Sequence, residues 1–223
     1  MKKTLLIFSL ALITFQVNTL SALTPQGKSD DVKSYWLGPG FGYYFLPMAS
    51  VNAQLGGYGV KTGFGNAMGV GLDYSAHVSN DRLPRGGSSL YSFHYLLPQT
   101  VKAGDSLTFR LGGYAAQFDI FSFDFLSPEN MTLVAGLSWA FGQLKVTETT
   151  KGGTTTCKNP YFAPEFRTEF SMRLGDHFFF GLRGAYRADI SKTGWKESGI
   201  NNPALTGTKL SGWMTGAFIG FGV

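Results

Sequence analysis

Charged residues make up only 15% of this 223-residue chain, yet between residues 165 and 190 they recur at every second or fourth position. The stretch reads EFRTEFSMRLGDHFFFGLRGAYRADI, with carboxylates and guanidinium groups on both sides of three consecutive phenylalanines. Groups of opposite charge at this spacing can pair as ions across a hairpin. If Gly175, Asp176 and His177 form a tight turn, residues equidistant from Asp176 face one another. Glu169 then meets Arg183, Glu165 meets Arg187, and Leu174 meets Phe178. Shifting the register by two residues would set Arg167 against Arg183, and like charges directly opposite are destabilising. Arg167, Arg173 and Asp189 are available to extend the network. No other chemistry competes on spacing. There is no zinc-ligand pattern, no phosphate-cradling glycine loop ahead of a helix and no nucleotide fingerprint, so neither metal nor cofactor is expected. Cys157 is the single cysteine. It sits in the polar stretch TTTCKN with no nearby histidine, and reads as a bystander in a loop.

The elements that would hold these charges alternate with period two. Phe178, Phe180, Leu182, Tyr186 and Ile190 fall on one face, with His177, Arg183, Arg187 and Asp189 on the other. The preceding segment splits likewise, Phe162, Phe166, Phe170 and Leu174 against Glu165, Arg167, Glu169 and Arg173. Residues 66–79 repeat the pattern, with Met68, Val70, Leu72 and Tyr74 against Gly69, Gly71, Asp73 and His77. Strict alternation is a strand with two unlike faces. A secreted β-sandwich also alternates, but its strands run to about five or six residues, whereas a tilted membrane strand needs about 9–11. The longer runs here favour the membrane. Aromatics gather at strand ends (Tyr35, Trp36, Tyr43, Tyr44; Tyr91, Tyr95; Trp139, Phe141), as interfacial girdles would. Small Gly and Ser residues on the polar face suit a narrow, filled lumen.

The N-terminus agrees with export. MKKTLLIFSLALITFQVNTLSA has two lysines, an apolar run and then small or polar residues, the order of a secretory signal peptide ending near Ser21. Without Lys2 and Lys3 the chain keeps 17 basic and 14 acidic residues, too mild an excess to imply nucleic acid. The expected organisation is a signal peptide over 1–21, a periplasmic segment over 22–34 and an antiparallel up-and-down barrel over 35–223. Eight strands fit best: 35–45, 66–79, 88–97, 105–117, 131–145, 161–174, 178–190 and 209–222. Two further stretches, 51–62 and 118–126, could raise the count to ten while keeping it even. The polar connectors 147–160 and 191–208 read as extracellular loops, and 175–177 as a periplasmic turn.

This layout resembles the small outer-membrane β-barrel superfamily of OmpA, OmpX and opacity-type proteins over essentially the whole mature chain. The terminal stretch KLSGWMTGAFIGFGV carries Trp213, Ala217, Ile219, Phe221 and Val223 on one face, although members of that superfamily close on an aromatic. The resemblance implies a Gram-negative outer-membrane location. It also implies outer-membrane lipid, lipopolysaccharide and the barrel-assembly machinery as partners. The charges would then form a lumenal network of Glu165, Arg167, Glu169, Arg173, Arg183, Arg187 and Asp189, which favours a plugged barrel over a pore.

A second resemblance is local. In AHVSN, His77, Ser79 and Asn80 are similar to the active-site stretch of the outer-membrane lipid A 3-O-deacylases, which would make Ser79 the nucleophile and His77 the base. Against it, alternation turns both side chains to the polar face, whereas a lipid ester must be reached from outside. The family's acidic partner has no counterpart but Asp81. The leading expectation is therefore a non-enzymatic barrel with a structural or interaction role, the alternatives being a small porin and a lipid hydrolase. N-terminal sequencing of the exported protein is expected to begin near Ala22; a chain still starting at Met1 would remove the export reading.

Overall fold

The computed structural model describes residues 31–79, 87–126, 130–191, 195–198 and 209–222. The stretch 1–21 and the motif residues Asn80 and Asp81 lie outside them, as do the side chains of His77 and Ser79, most of 191–208, and Val223. The strands are β1 (Asp31–Tyr44), β2 (Ala67–Ser79), β3 (Gly87–Ala103), β4 (Leu107–Leu126), β5 (Met131–Thr150), β6 (Gly153–Leu174), β7 (Phe178–Arg187), β8 (Lys196–Ser198) and β9 (Gly212–Gly222). A single helix among the described residues, α1 (Ala49–Gly57), lies between β1 and β2. Sequential antiparallel neighbours run from β5 back to β1, then through β9 and β7 to β6, which pairs with β5. Eight strands thus close on themselves, and β8 is a short addition along β6. Closure pairs both edges of the eight-stranded sheet, the arrangement a bilayer would require because an unmatched backbone group there costs roughly 2–7 kcal/mol.

Alternation sorts the side chains as their chemistry demands. Leu72 (60% exposed), Leu182 (51%) and Trp213 (62%) point outward with Phe41, Tyr95, Phe123, Phe166 and Phe221, forming an apolar outer wall. The three phenylalanines divide by the same rule: Phe178 and Phe180 face out, and Phe179 faces in. The ten residues of β7, at about 3.3 Å each and a tilt near 40°, rise about 25 Å along the axis, the height of a membrane barrel's apolar band.

Two ends differ. At the base β2 ends and β3 begins, β4 ends and β5 begins, and β6 turns into β7, beside the start of β1 and the end of β9; the opposite strand ends form the mouth. Inside the base, Trp36, Leu90, Phe179 and Phe218 form a small apolar cluster, with Trp36 and Phe218 stacked at 4.1 Å between centroids. Inside the mouth lies a larger one, including Met48, Val51, Leu55, Phe64, Leu96, Leu111, Leu144 and Met214.

The expected eight strands close the barrel, and the alternative of ten falls away. Several finer expectations need correction. The stretch 118–126 continues β4 past two bulges, at Asp119/Phe121 and Asp124/Leu126, which break simple alternation and hide the continuity. The stretch 51–62 falls mostly in α1, whose Val51 and Leu55, one turn apart, are buried. Asn52 ties the returning chain by exchanging hydrogen bonds with Phe64, 2.7 and 2.8 Å long. The segment 147–160 is not a loop. Its threonines are β-branched and pair across strands, Thr147 with Thr156 and Thr149 with Thr154, so the β5–β6 hairpin runs on to a turn at Lys151–Gly152. Cys157 consequently lies buried in β6. Barrel structure begins at Asp31 rather than 35.

Arginine at Leu182, in mid-strand on the outer wall, is expected to cost about 2–4 kcal/mol of unfolding free energy in lipid vesicles, while arginine at Leu174, beside the base turn, costs about 0–1. Equal costs at the two depths would show that this wall does not span a bilayer.

Candidate functional site

Between the two apolar clusters lies a layer of buried charge, built from four carboxylates (Asp73, Asp119, Glu165, Glu169) and three guanidinium groups (Arg167, Arg183, Arg187). The β6–β7 turn falls at 175–177, with Gly175 at φ +71°. It sets Glu169 opposite Arg183 and Glu165 opposite Arg187 in the backbone register. Arg183 Nε donates to Glu169 Oε2 at 3.2 Å, and Arg187 Nη2 to Glu165 Oε2 at 2.8 Å. Arg167, 0% exposed, donates through Nη1 to the same Glu169 oxygen at 3.1 Å. Its Nε and Nη2 grip both oxygens of Asp119 on β4. Asp119 also accepts from the Leu90 backbone N–H at 2.8 Å.

Partners arrive from strands that are not neighbours. Asp73 on β2 accepts from Arg183 Nη2 at 3.3 Å and contacts His94 Nε2 at 3.0 Å, while His94 Nδ1 meets the Tyr44 hydroxyl at 2.7 Å. Only the barrel interior allows β2 to reach β7 in this way. Arg187 stacks over the rings of Tyr44 and Tyr161 and donates to the Tyr161 hydroxyl at 3.0 Å. Nearer β5, Gln117 donates to Ser138 at 2.9 Å. Glycine makes the room: a Cβ on Gly40 would strike Asp73, and one on Gly42 would lie 2.7 Å from the Tyr44 ring.

Two of the residues expected in the network stand outside it. Arg173 reaches the turn carbonyls of Gly175 and Asp176, at 3.2 and 2.6 Å, and so clasps the base hairpin. Its place next to the turn sets it against backbone carbonyls instead of the charge layer. Asp189 accepts from the backbone N–H groups of Ser191 and Leu210, both at 2.8 Å, pinning the connection from β7 to β9. Conversely, sequence reasoning did not gather Asp73, His94, Asp119 and Tyr44. Asp73 sits on the polar face of an alternating segment, so its inward direction was readable; its partner 110 residues away was not.

The arrangement holds buried charge in paired form. Among the described residues no His, Cys, Asp and Glu cluster could hold a metal. The chain is a closed, eight-stranded antiparallel up-and-down β-barrel with an apolar outer wall. No protein-family model and no curated protein sequence matches it. Solved structures similar in outline include Ail, the attachment invasion locus protein of Yersinia pestis, at 10% identity over 85% of this chain and 98% of that one, TM-score 0.46. Ail in complex with the heparin analogue sucrose octasulfate aligns at 14% identity with the same coverage and a TM-score of 0.49. Neisserial surface protein A aligns at 11% identity over 87% of this chain and 97% of that one, TM-score 0.39.

Glu165 and Arg187 offer the cleanest test of coupling, since among the described residues Arg187 is the one cation ion-paired with Glu165. Arg187→Leu is expected to cost about 3–5 kcal/mol by stranding a buried charge, and adding Glu165→Leu should recover much of that loss. The measurement is denaturant unfolding of both single variants and the double variant. Strict additivity would mean the two side chains do not meet.

Proposed function

We propose that the protein is an exported, integral outer-membrane barrel of a Gram-negative cell, with a lumen closed to ions and a structural or interaction role rather than a catalytic one. One observation carries this reading: the charge layer is spanned by hydrogen bonds from β1 to β7 and covered on each side by an apolar cluster. A conducting path needs a continuous wet channel. Here Leu55, Leu96, Leu111 and Leu144 fill the mouth side, and Trp36 with Phe218 the base side.

Export through the leader at 1–21 and assembly through the C-terminal strand fit the same reading. The β9 strand pairs with both β1 and β7, so it is the closing stave that an assembly machinery would have to seat. Lipopolysaccharide and membrane lipid are the partners its outer wall would meet. The surface it offers above the membrane is the long β5–β6 hairpin and the segment around α1, in place of the polar loop expected at 147–160.

The porin alternative would require the apolar clusters to part. The hydrolase alternative, with Ser79 and His77, would require lumen-side groups to reach an ester in lipid. In planar bilayers the purified protein is expected to give no stable open-channel current at neutral pH. Regular conductance steps from the folded wild-type barrel would overturn the closed-lumen reading, and a change in lipid A acylation on expression would restore the hydrolase.

A further inference from the structure

The outer wall near the mouth carries a set of cations that folding does not explain. On β4, Arg110 lies four residues beyond Tyr114; on β5, Lys145 lies four beyond Phe141; on β6, Lys158 lies four beyond Phe162. Four residues along a tilted strand amount to about 10 Å of height, so the cations stand about one headgroup layer above the last ring of aromatics. Lys145 and Lys158 are direct cross-strand partners. Like charges set opposite one another are destabilising, so this register costs stability unless something anionic lies over it.

Among the described residues no carboxylate is ion-paired with these cations. The side chains of Arg110, Lys145 and Lys158 make no ion pair or hydrogen bond with any described residue. Among the described residues the carboxylates of β3–β6 point elsewhere: Asp119, Asp124, Glu165 and Glu169 are buried, and Glu148 shares the inward set of Leu144 and Val146. Instead there is a groove of about 700 Å³ across β3, β4 and β5, lined above by Arg110, Lys145 and threonine hydroxyls, and below by Phe93, Tyr95 and Tyr114. Gly112, beside Lys145 in the register, leaves the groove floor open, for a Cβ there would find nothing nearer than 3.9 Å. Thr100, Arg110 and Thr147 are consecutive partners across the three strands and form one donor row.

We propose that this groove and the adjoining lysines are a binding site for the phosphorylated headgroup of a lipid in the surrounding outer leaflet. Arg110, Lys145 and Lys158 pair with phosphate oxygens, Thr100 and Thr147 donate hydrogen bonds, and the acyl chains descend over the aromatic shelf. The charge fits an anion, the hydroxyls fit its oxygens, and the step from basic to aromatic within four residues fits an amphiphile rather than a free ion. The inference rests on the membrane-spanning reading above and adds to it a headgroup chemistry and an address on the wall.

The test uses the full-length barrel in phosphatidylcholine nanodiscs doped with bisphosphorylated lipid A, or with the same lipid A after removal of both phosphates. Retention of lipid A by the purified protein, read by native mass spectrometry, should favour the phosphorylated form in the wild type. The double variant Lys145→Gln/Lys158→Gln should retain it about twentyfold less, since each near-surface cation is worth about fivefold in attraction to anionic lipid. Lys209→Gln, outside the patch, should change nothing. Melting gives a readout with opposite signs: the double variant should be at least as stable as wild type in undoped discs, where only the lysine repulsion is lost. It should be less stable in phosphorylated discs. Failure to insert in any disc would remove the membrane reading itself. Insertion with equal retention of both lipids, or with no effect of the double variant, would overturn the headgroup site alone. Equal stabilisation by inorganic phosphate would assign it to free anions and overturn it too.

Discussion

The seven charged side chains of the central layer have to be taken out of water inside a barrel only eight strands around, and most other features of the interior follow from that requirement. Removing an ion from water costs several kcal/mol unless a partner and further hydrogen bonds restore what was lost. Five of the seven lie on one connected path: Tyr44, His94, Asp73, Arg183, Glu169, Arg167, Asp119 and the Leu90 amide. The Glu165–Arg187 pair joins it where Arg187 stacks over the Tyr44 ring. The path crosses the barrel rather than following the sheet. Its geometry dictates the glycines of β1, because Asp73, His94 and the Tyr44 ring occupy the space a Cβ on Gly40 or Gly42 would need. It also dictates register. A slip of one residue in β7 would turn Arg183 and Arg187 to the apolar side. Buried pairs of this kind add little net stability, so they are better understood as fixing one arrangement among many.

The apolar clusters have a complementary task. A charge layer open to bulk water would be screened, and its pairs would be worth about 1 kcal/mol or less each. With Trp36 and Phe218 on one side and the α1 leucine and valine on the other, the pairs are shielded and each depends strongly on its partner. Glu165 and Glu169 each spend one carboxylate oxygen, Oε2, on arginine, while Oε1 has no protein partner, so the layer has no surplus of donors. The helix is therefore part of the interior even though it lies between two strands in sequence.

How much of this was legible in the sequence depends on range. Alternation gave the outer wall, the eight staves and the inward direction of Asp73. A short turn at Gly175 was enough to derive Glu169 opposite Arg183 and Glu165 opposite Arg187, since hairpin register follows from turn length alone. What failed was of two kinds. Threonine-rich 147–160 read as loop because polarity was weighed above β-branching, and 118–126 read as separate because bulges shift the alternation phase. The helix at 49–57 has only Val51 and Leu55 as a buried pair, too short a period-3.6 signal to stand out beside its glycines. The contacts of Arg167 with Asp119 and of Arg183 with Asp73 join residues 48 and 110 positions apart, and no local pattern encodes them.

That difference in range implies an order of assembly. Glu169 with Arg183 and Glu165 with Arg187 lie within one hairpin, 14 and 22 residues apart, so they can form as soon as β6 and β7 meet. Asp73 reaches Arg183 only when β1 has met β9 and β9 has met β7, which is closure itself. Contacts of high sequence separation are slow because loop-closure entropy comes before their reward. Before closure, then, Arg183 is paired on one side through Glu169 and open on the other. Asp73 completes it with His94 and Tyr44 behind, drawing β1, β2 and β3 against β7 at the same step. A hairpin with its own internal pairs is soluble enough in charge to wait for its partners, and the last ion pair to form is the one that registers the barrel as shut.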